Sequence, residues 1–182
     1  MRYPFPQSVR TLMVESTPPE RARPVLSLLN RAEADDPGKV TLAEQRPARS
    51  EVASLLAVEV GAALVLRQRV IVREDTENTP IVFVSLWLRP ELALATGMDR
   101  LEPLDESLRE LAASAGQSLR NVTERLTSRL PTSAESAGLA ISRRTPVLGL
   151  LATVMDASDR PVLALDLAFP GDLHQVIDSY AV

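Results

Sequence analysis

Residues 64–90 read LVLRQRVIVREDTENTPIVFVSLWLRP. Two apolar, β-branched runs of strand length flank the polar stretch DTENT, which is the pattern of an antiparallel hairpin. Just before it, EVASLLAVEVGAA (residues 51–63) sets Val52, Leu55 and Leu56 on one side of a short helix. Ser50 offers an N-cap hydroxyl and Gly61 ends the unit. The order is therefore helix, strand, tight turn, strand.

The same order returns further along. TSAESAGLA (132–140) opens with Thr132 and Glu135 at capping-box spacing. PVLGLLATVMD (146–156), the polar turn ASDR and PVLALDLAFP (161–170) follow. Setting Pro80 on Pro161 places Ile81 on Val162 and Ser85 on Asp166. The match lies in pattern more than in identities, and it predicts a structural duplication.

Between the units, LDESLRELAASAG (104–116) carries Leu104, Leu108, Leu111 and Ala115 at helical spacing, with Gly116 as a C-terminal stop. QSLRNVTERLTSRLP (117–131) fits two patterns. Its Val122, Thr123 and Thr127 favour a strand, whereas Leu119, Leu126 and Leu130 suit a helix; the strand is preferred. KVTLAEQRP (39–47) alternates as one more strand, and HQVIDSYAV (174–182) reads as a last one. Ahead of them, Val25, Leu26, Leu28 and Leu29 suggest a short apolar helix or strand before the turn Asp36-Pro37-Gly38. The sum is an α+β domain: a mostly antiparallel, six-stranded sheet with short helices, built from duplicated helix–hairpin units. Residues 1–39 are expected to be an arm or linker, and residues 40–182 the domain.

Composition narrows the function. With 182 residues, 45% hydrophobic and only 3% aromatic, the core must come from Leu, Val, Ala and Ile. The net charge is −4, Lys39 is the sole lysine, and the arginines are interleaved with Asp and Glu, so the basic face needed to grip nucleic acid is missing. No cysteine is present, which removes disulfides, thiolate metal sites and Cys nucleophiles. The start MRYPFPQSVR lacks the apolar stretch of a signal peptide, and no run nears the roughly 18 apolar residues of a membrane span, so a cytoplasmic location is expected. The one histidine, His174, reads as a surface or capping residue. The seven glycines form no phosphate loop and no acidic cluster has metal-ligand spacing, so neither cofactor nor metal is expected.

Side chains alternate along a strand. By residue number, Val65, Arg67, Arg69 and Ile71 would share a face with Phe83, Ser85 and Trp87, with Asp166 in the phase of Ser85. Two guanidinium forks on one strand could hold a carboxylate or phosphate bidentately, or could instead sit at a solvated edge or form salt bridges to Glu124, Asp166 or Glu74. Trp87 could wall a pocket beside Ser85, or simply pack in a core or dimer contact. Asp166 could accept from a ligand or pair with an arginine.

The ordered series from the R-x-R strand LVLRQRV through PIVFVSLWLRP to VTERLTSRLPTSAESAGLAISRRTPVLGLLATVMDASDRPVLALDLAFPGD resembles the UTRA domain over roughly residues 40–182. That domain is the effector-binding half of the HutC branch of GntR-type transcription regulators and has the chorismate lyase fold. The resemblance implies a small-molecule effector, a homodimer, and effector contacts at Arg67 and Arg69, with Glu124 in a segment that matches a pocket-lining stretch. It implies DNA contact only through a winged helix-turn-helix, for which residues 1–46 show no pattern. Several family members carry a Glu near Leu163 and a Tyr near Phe169; the apolar residues here favour a less polar effector than a sugar. A ligand-sensing module, not an enzyme, is the expectation; the alternative is a chorismate lyase-like enzyme acting on a small anion.

Overall fold

The computed structural model describes residues 24–73 and 78–174. Six strands form one antiparallel sheet: β1 (Gly38–Pro47), β2 (Ala63–Val72), β3 (Pro80–Leu88), β4 (Asn121–Arg129), β5 (Val147–Met155) and β6 (Pro161–Pro170). Their order across the sheet is β1-β2-β3-β6-β5-β4. Five short helices pack on it: α1 (Pro24–Asn30), α2 (Ser50–Leu56), α3 (Pro90–Thr96), α4 (Leu108–Ser114) and α5 (Ser133–Gly138). The strand expected over 174–182 falls outside the described residues apart from His174.

The duplication is present, and it extends further than the hairpins. β1-α2-β2-β3 and β4-α5-β5-β6 have the same element order, and the two halves meet where β3 pairs with β6. At that seam Ser85 stands directly opposite Asp166. These are the same two residues that superpose when one unit is laid on the other, so a pseudo-two-fold axis passes between them.

Each face of the sheet has its own helical cover. On one face Val65, Val84, Leu86, Leu163, Leu165 and Leu167 bury against Val25 and Leu29 of α1, Ala93 of α3 and Leu108 and Ala112 of α4. Leu163, Leu165 and Leu167 have no exposed surface. Burying each such leucine contributes on the order of 1.5–3 kcal/mol. On the other face Leu64, Leu66, Trp87 and Ala164 pack under Val52, Ala53 and Leu56 of α2. Beside them Val70, Phe83 and Ala168 pack against Leu139, just beyond α5.

Local sequence accounts for most element ends. Thr132 and Glu135 form the expected capping box at α5, and Ser107 with Glu110 forms another at α4. At α2 the helix begins on Ser50 itself, with Arg49 as N-cap and no side-chain cap bond. It stops at Leu56 because Ala57 turns left-handed (φ 49), well before Gly61. α3 had not been anticipated, although Pro90 in its first turn and Gly97 at its left-handed C-cap are a legible pair of signals. The ambiguous segment around Val122 is strand β4, at the edge of the sheet beside β5.

Candidate functional site

The six residues singled out in the sequence divide between the two faces. Register settles this. Across the first hairpin Arg67 pairs with Leu86 and Arg69 with Val84, while Ser85 pairs with Gln68 and Trp87 with Leu66. Odd-numbered residues of β2 therefore share a face with even-numbered residues of β3. The expectation that Arg67 and Arg69 lie beside Ser85 and Trp87 is corrected: parity holds along a strand, but the pairing register sets it across a turn.

Arg67 and Arg69 lie on the face covered by α1 and α4. One continuous row there runs Ala43, Arg67, Leu86, Leu165, Ala152, Glu124. Arg67 is 1% exposed and Arg69 is 5% exposed, which is rare for arginine and demands partners. The partners come from outside the sheet. Arg67 Nε donates to Glu33 Oε1 at 3.0 Å and Nη2 to Glu33 Oε2 at 2.5 Å, a bidentate fork. Nη2 also reaches the carbonyl of Glu102 at 2.7 Å, and Nη1 donates to the carbonyl of Arg100. Glu33 opens a short 3-10 turn, Glu33–Asp35, that follows α1. Its Oε2 accepts from the Leu104 amide at 3.3 Å as well.

Arg69 is less well satisfied. Its Nη2 donates to the carbonyls of Glu33 (3.1 Å) and Asp36 (3.4 Å), and its Nη1 lies 4.0 Å from the Asp36 carboxylate. The Nε hydrogen is buried without a partner. Burial pushes the Arg69 guanidinium below its ordinary value; Glu33 and Asp36 pull it back up, and Arg67 lowers it further. Beside the two arginines lies a small cavity of about 20 Å³, lined by Leu28, Glu33, Val84, Leu86, Leu108 and Leu165. That is room for one water molecule. Around a charged floor, the walls are aliphatic.

Ser85, Trp87 and Asp166 occupy the opposite face. The Ser85 hydroxyl accepts from Gln68 Nε2 at 3.0 Å. Trp87 is buried under α2 with the Arg49 guanidinium 5.8 Å from its ring centre. Asp166 accepts from Arg129 Nη2 at 3.0 Å, and Arg129 also holds Glu135 through two bonds of 2.7 Å. Burial pushes the Asp166 carboxyl up against the pull of Arg129. Glu124 is on the arginine face but at its exposed edge strand. His174 sits with its Nδ1 3.1 Å from the carbonyl of Pro170 and its ring against Phe169. No cluster of metal-ligating side chains occurs among the described residues.

Sequence reasoning missed Glu33 and the carbonyls of Arg100 and Glu102. Glu33 stands 34 positions from Arg67, on an arm read as a linker, so no spacing pointed to it. A usable signal did exist: an arginine inside an apolar strand needs a buried carboxylate from somewhere.

The fold has close structural kin. The effector domain of PhnF from Mycobacterium smegmatis is 20% identical, with TM-score 0.64 over 80% of this chain and 86% of that one. Against the longer PhnF structure from the same organism the chain covers 63% of that protein, at 18% identity and TM-score 0.63 over 79% of this chain. The ligand-binding domain of a GntR-family regulator from Bordetella bronchiseptica gives 19% identity and TM-score 0.62, covering 81% and 91% of the two chains. The C-terminal domain of a histidine utilization repressor from Pseudomonas syringae gives 19% and 0.63, covering 80% and 99%. None of the curated proteins matches the chain. The family model of the UTRA domain matches residues 38–175. With that match over a duplicated six-stranded sheet, the chain belongs to the UTRA family, the effector-binding domains of GntR-type regulators.

Proposed function

We propose that the effector of this domain binds on the arginine face of the sheet, with Arg67 and Arg69 as anchors for its negative charge. The observation that carries this reading is the pair itself. Two guanidinium groups are buried beside a cavity, one with an unpaired Nε, and apart from Glu33 the other walls of that cavity are aliphatic. Across the pseudo-two-fold axis the row Arg67–Leu86 corresponds to Leu150–Leu167, and Arg69–Val84 to Ala152–Leu165. The frame is content with apolar side chains at both places. At these two positions only the first half carries charge.

The ligand is therefore a small carboxylate, phosphate or phosphonate with an apolar body, which suits the leucines around the cavity and the apolar Leu163 and Phe169 of β6. A cavity of about 20 Å³ is too small for such a molecule, so entry requires the cover to move. Glu124 stays a candidate at the rim of this face. Ser85, Trp87 and Asp166 are left out of the proposed site, because they lie on the opposite face of the sheet.

In this reading the chain works as a homodimeric, cytoplasmic sensor of the HutC branch, and the likeness to a histidine utilization repressor domain supports the branch. Residues 40–182 are the effector-binding domain, and residues 24–39 of the arm before it fold over it. Contact with DNA runs through a separate helix-turn-helix domain, and the role is regulatory instead of enzymatic. Thermal denaturation against a panel of small organic anions tests the proposal. A binder at a hundredfold excess over its Kd should raise Tm on the order of 5–10 °C. Replacing both arginines should cancel that rise. A binder whose effect survives the double replacement would place the site elsewhere.

A further inference from the structure

Glu33 occupies Arg67 in the manner of a bound ligand. Its two oxygens take the Nε and Nη2 hydrogens, and Oε2 takes the Leu104 amide as well. Those three donors, with the unpaired Nε of Arg69 close by, form a cradle for a carboxylate-sized anion. The cradle would outlast the loss of Glu33. Arg67 is also held by the carbonyls of Arg100 and Glu102, which fix the guanidinium from its other side.

The segment that carries Glu33 is attached at a few defined points. α1 is seven residues long and buries Val25 and Leu29. Beyond it, the arm is tied down by an Ala34 amide bond to the Leu104 carbonyl at 3.1 Å and a bridge between Ala32 and Ser107. Arg69 binds the backbone of Glu33 and Asp36 as well. The Glu33 carboxylate is the one tie that runs from a side chain of the arm to Arg67. The Ala34 amide, the Ala32–Ser107 bridge and the bond from Arg109 Nε to Asn30 Oδ1 (2.7 Å) hold the arm independently, so taking the cradle from Glu33 removes one anchor of several.

We infer that Glu33 is a built-in competitor: its carboxylate fills the anion cradle of Arg67 in the unliganded domain, and a small carboxylate or phosphonate effector displaces it and loosens the arm of residues 24–36. This rests on the reading of Arg67 and Arg69 as the effector site. A tethered carboxylate lowers the apparent affinity for any free anion, because only the molecules with the cradle open can bind. Removing its charge should lift that handicap. The same exchange gives binding a mechanical output at the N-terminal side of the sheet, since α1 and the 3-10 turn precede β1 directly.

The experiment uses phenylphosphonate, an anion with an apolar body, titrated calorimetrically into the wild-type chain and the Glu33→Gln variant. Amide hydrogen exchange of residues 24–36 is followed with and without the probe. The variant should bind about tenfold tighter or more. In the wild-type chain the probe should raise exchange across α1 and the 3-10 turn. Equal affinity in both proteins, or wild-type binding with unchanged exchange over the arm, would overturn the competitor and leave the anion site standing. Failure of both proteins to bind any anion of this class would remove the site and the competitor together. If Glu33→Gln does not fold, the wild-type exchange measurement decides alone.

Discussion

Arg67 and Leu150 hold equivalent positions in the two halves of the sheet, yet one carries a buried guanidinium and the other an aliphatic side chain. The fold does not require charge there. A buried ion pair costs much of what it gains, whereas breaking it leaves an unpaired charge in an apolar layer.

Stability follows from that asymmetry. Arg67→Leu alone should cost about 3–5 kcal/mol, because it strands the Glu33 carboxylate. The double variant Arg67→Leu/Glu33→Leu should recover most of that loss. Urea denaturation of the two single variants and the double variant measures the coupling. Simple additivity of the single losses would mean that Glu33 and Arg67 do not depend on each other.

The other face has a charged cluster of a different kind, and its response to pH has two signs. Burial pushes the Glu135 carboxyl up, but bonds from Arg129 and from the Thr132 amide outweigh it and hold it below its ordinary value. Its contribution is therefore complete above the usual carboxylate range and is lost as pH falls through the lowered value. Asp166 is displaced the opposite way by burial, so acidification relieves a cost there instead. Glu135→Ala should cost about 2–4 kcal/mol at pH 7, since it removes the carboxylate half of the capping box and the Arg129 bonds. Asp166→Asn should change stability by less than about 1 kcal/mol, because its amide oxygen still accepts from Arg129. Chemical denaturation at pH 7 and pH 4 checks the ranking; a larger loss in Asp166→Asn would contradict it.

Packing at the seam between α5 and the sheet leaves no room at Gly138. A methyl group there would meet the Phe83 ring at 2.5 Å. Phe83 is 3% exposed, so the ring that must give way is itself buried. Gly138→Ala should thus destabilise by about 1–3 kcal/mol. A gain in Tm would show that the ring swings clear.

How much of this was legible beforehand depended on the range of the contacts involved. The two helix–hairpin units, the capping boxes at Thr132 and the strand preference around Val122 all rest on local pattern, and the structure has each of them. The pairing of Ser85 with Asp166 was foreshadowed by superposing one unit on the other. Failures came where distant segments decide. Which residues of β2 share a face with Ser85 depends on a register that includes an irregularity between Ile71 and Val72, and residue number alone cannot supply it. Glu33 was invisible because its partner is fixed by three-dimensional folding of the arm, not by spacing along the chain.

A turnover assay separates a sensor from a lyase of similar fold. Prolonged incubation with chorismate should yield no 4-hydroxybenzoate, since the walls of the cavity beside the arginines are aliphatic. Product formed by the wild-type chain and absent from an Arg67→Leu control would restore the enzymatic alternative.

The most direct trial of the anion site is a calorimetric titration of phenylphosphonate into Arg69→Met, with Asp166→Asn as the control from the far face. Loss of a charge-assisted contact should weaken binding by about 1.5–3 kcal/mol, roughly tenfold to a hundredfold, in Arg69→Met. Asp166→Asn should bind as the unaltered chain does. Undiminished affinity in Arg69→Met, or an equal loss in Asp166→Asn, would show that the ligand is not held by these arginines.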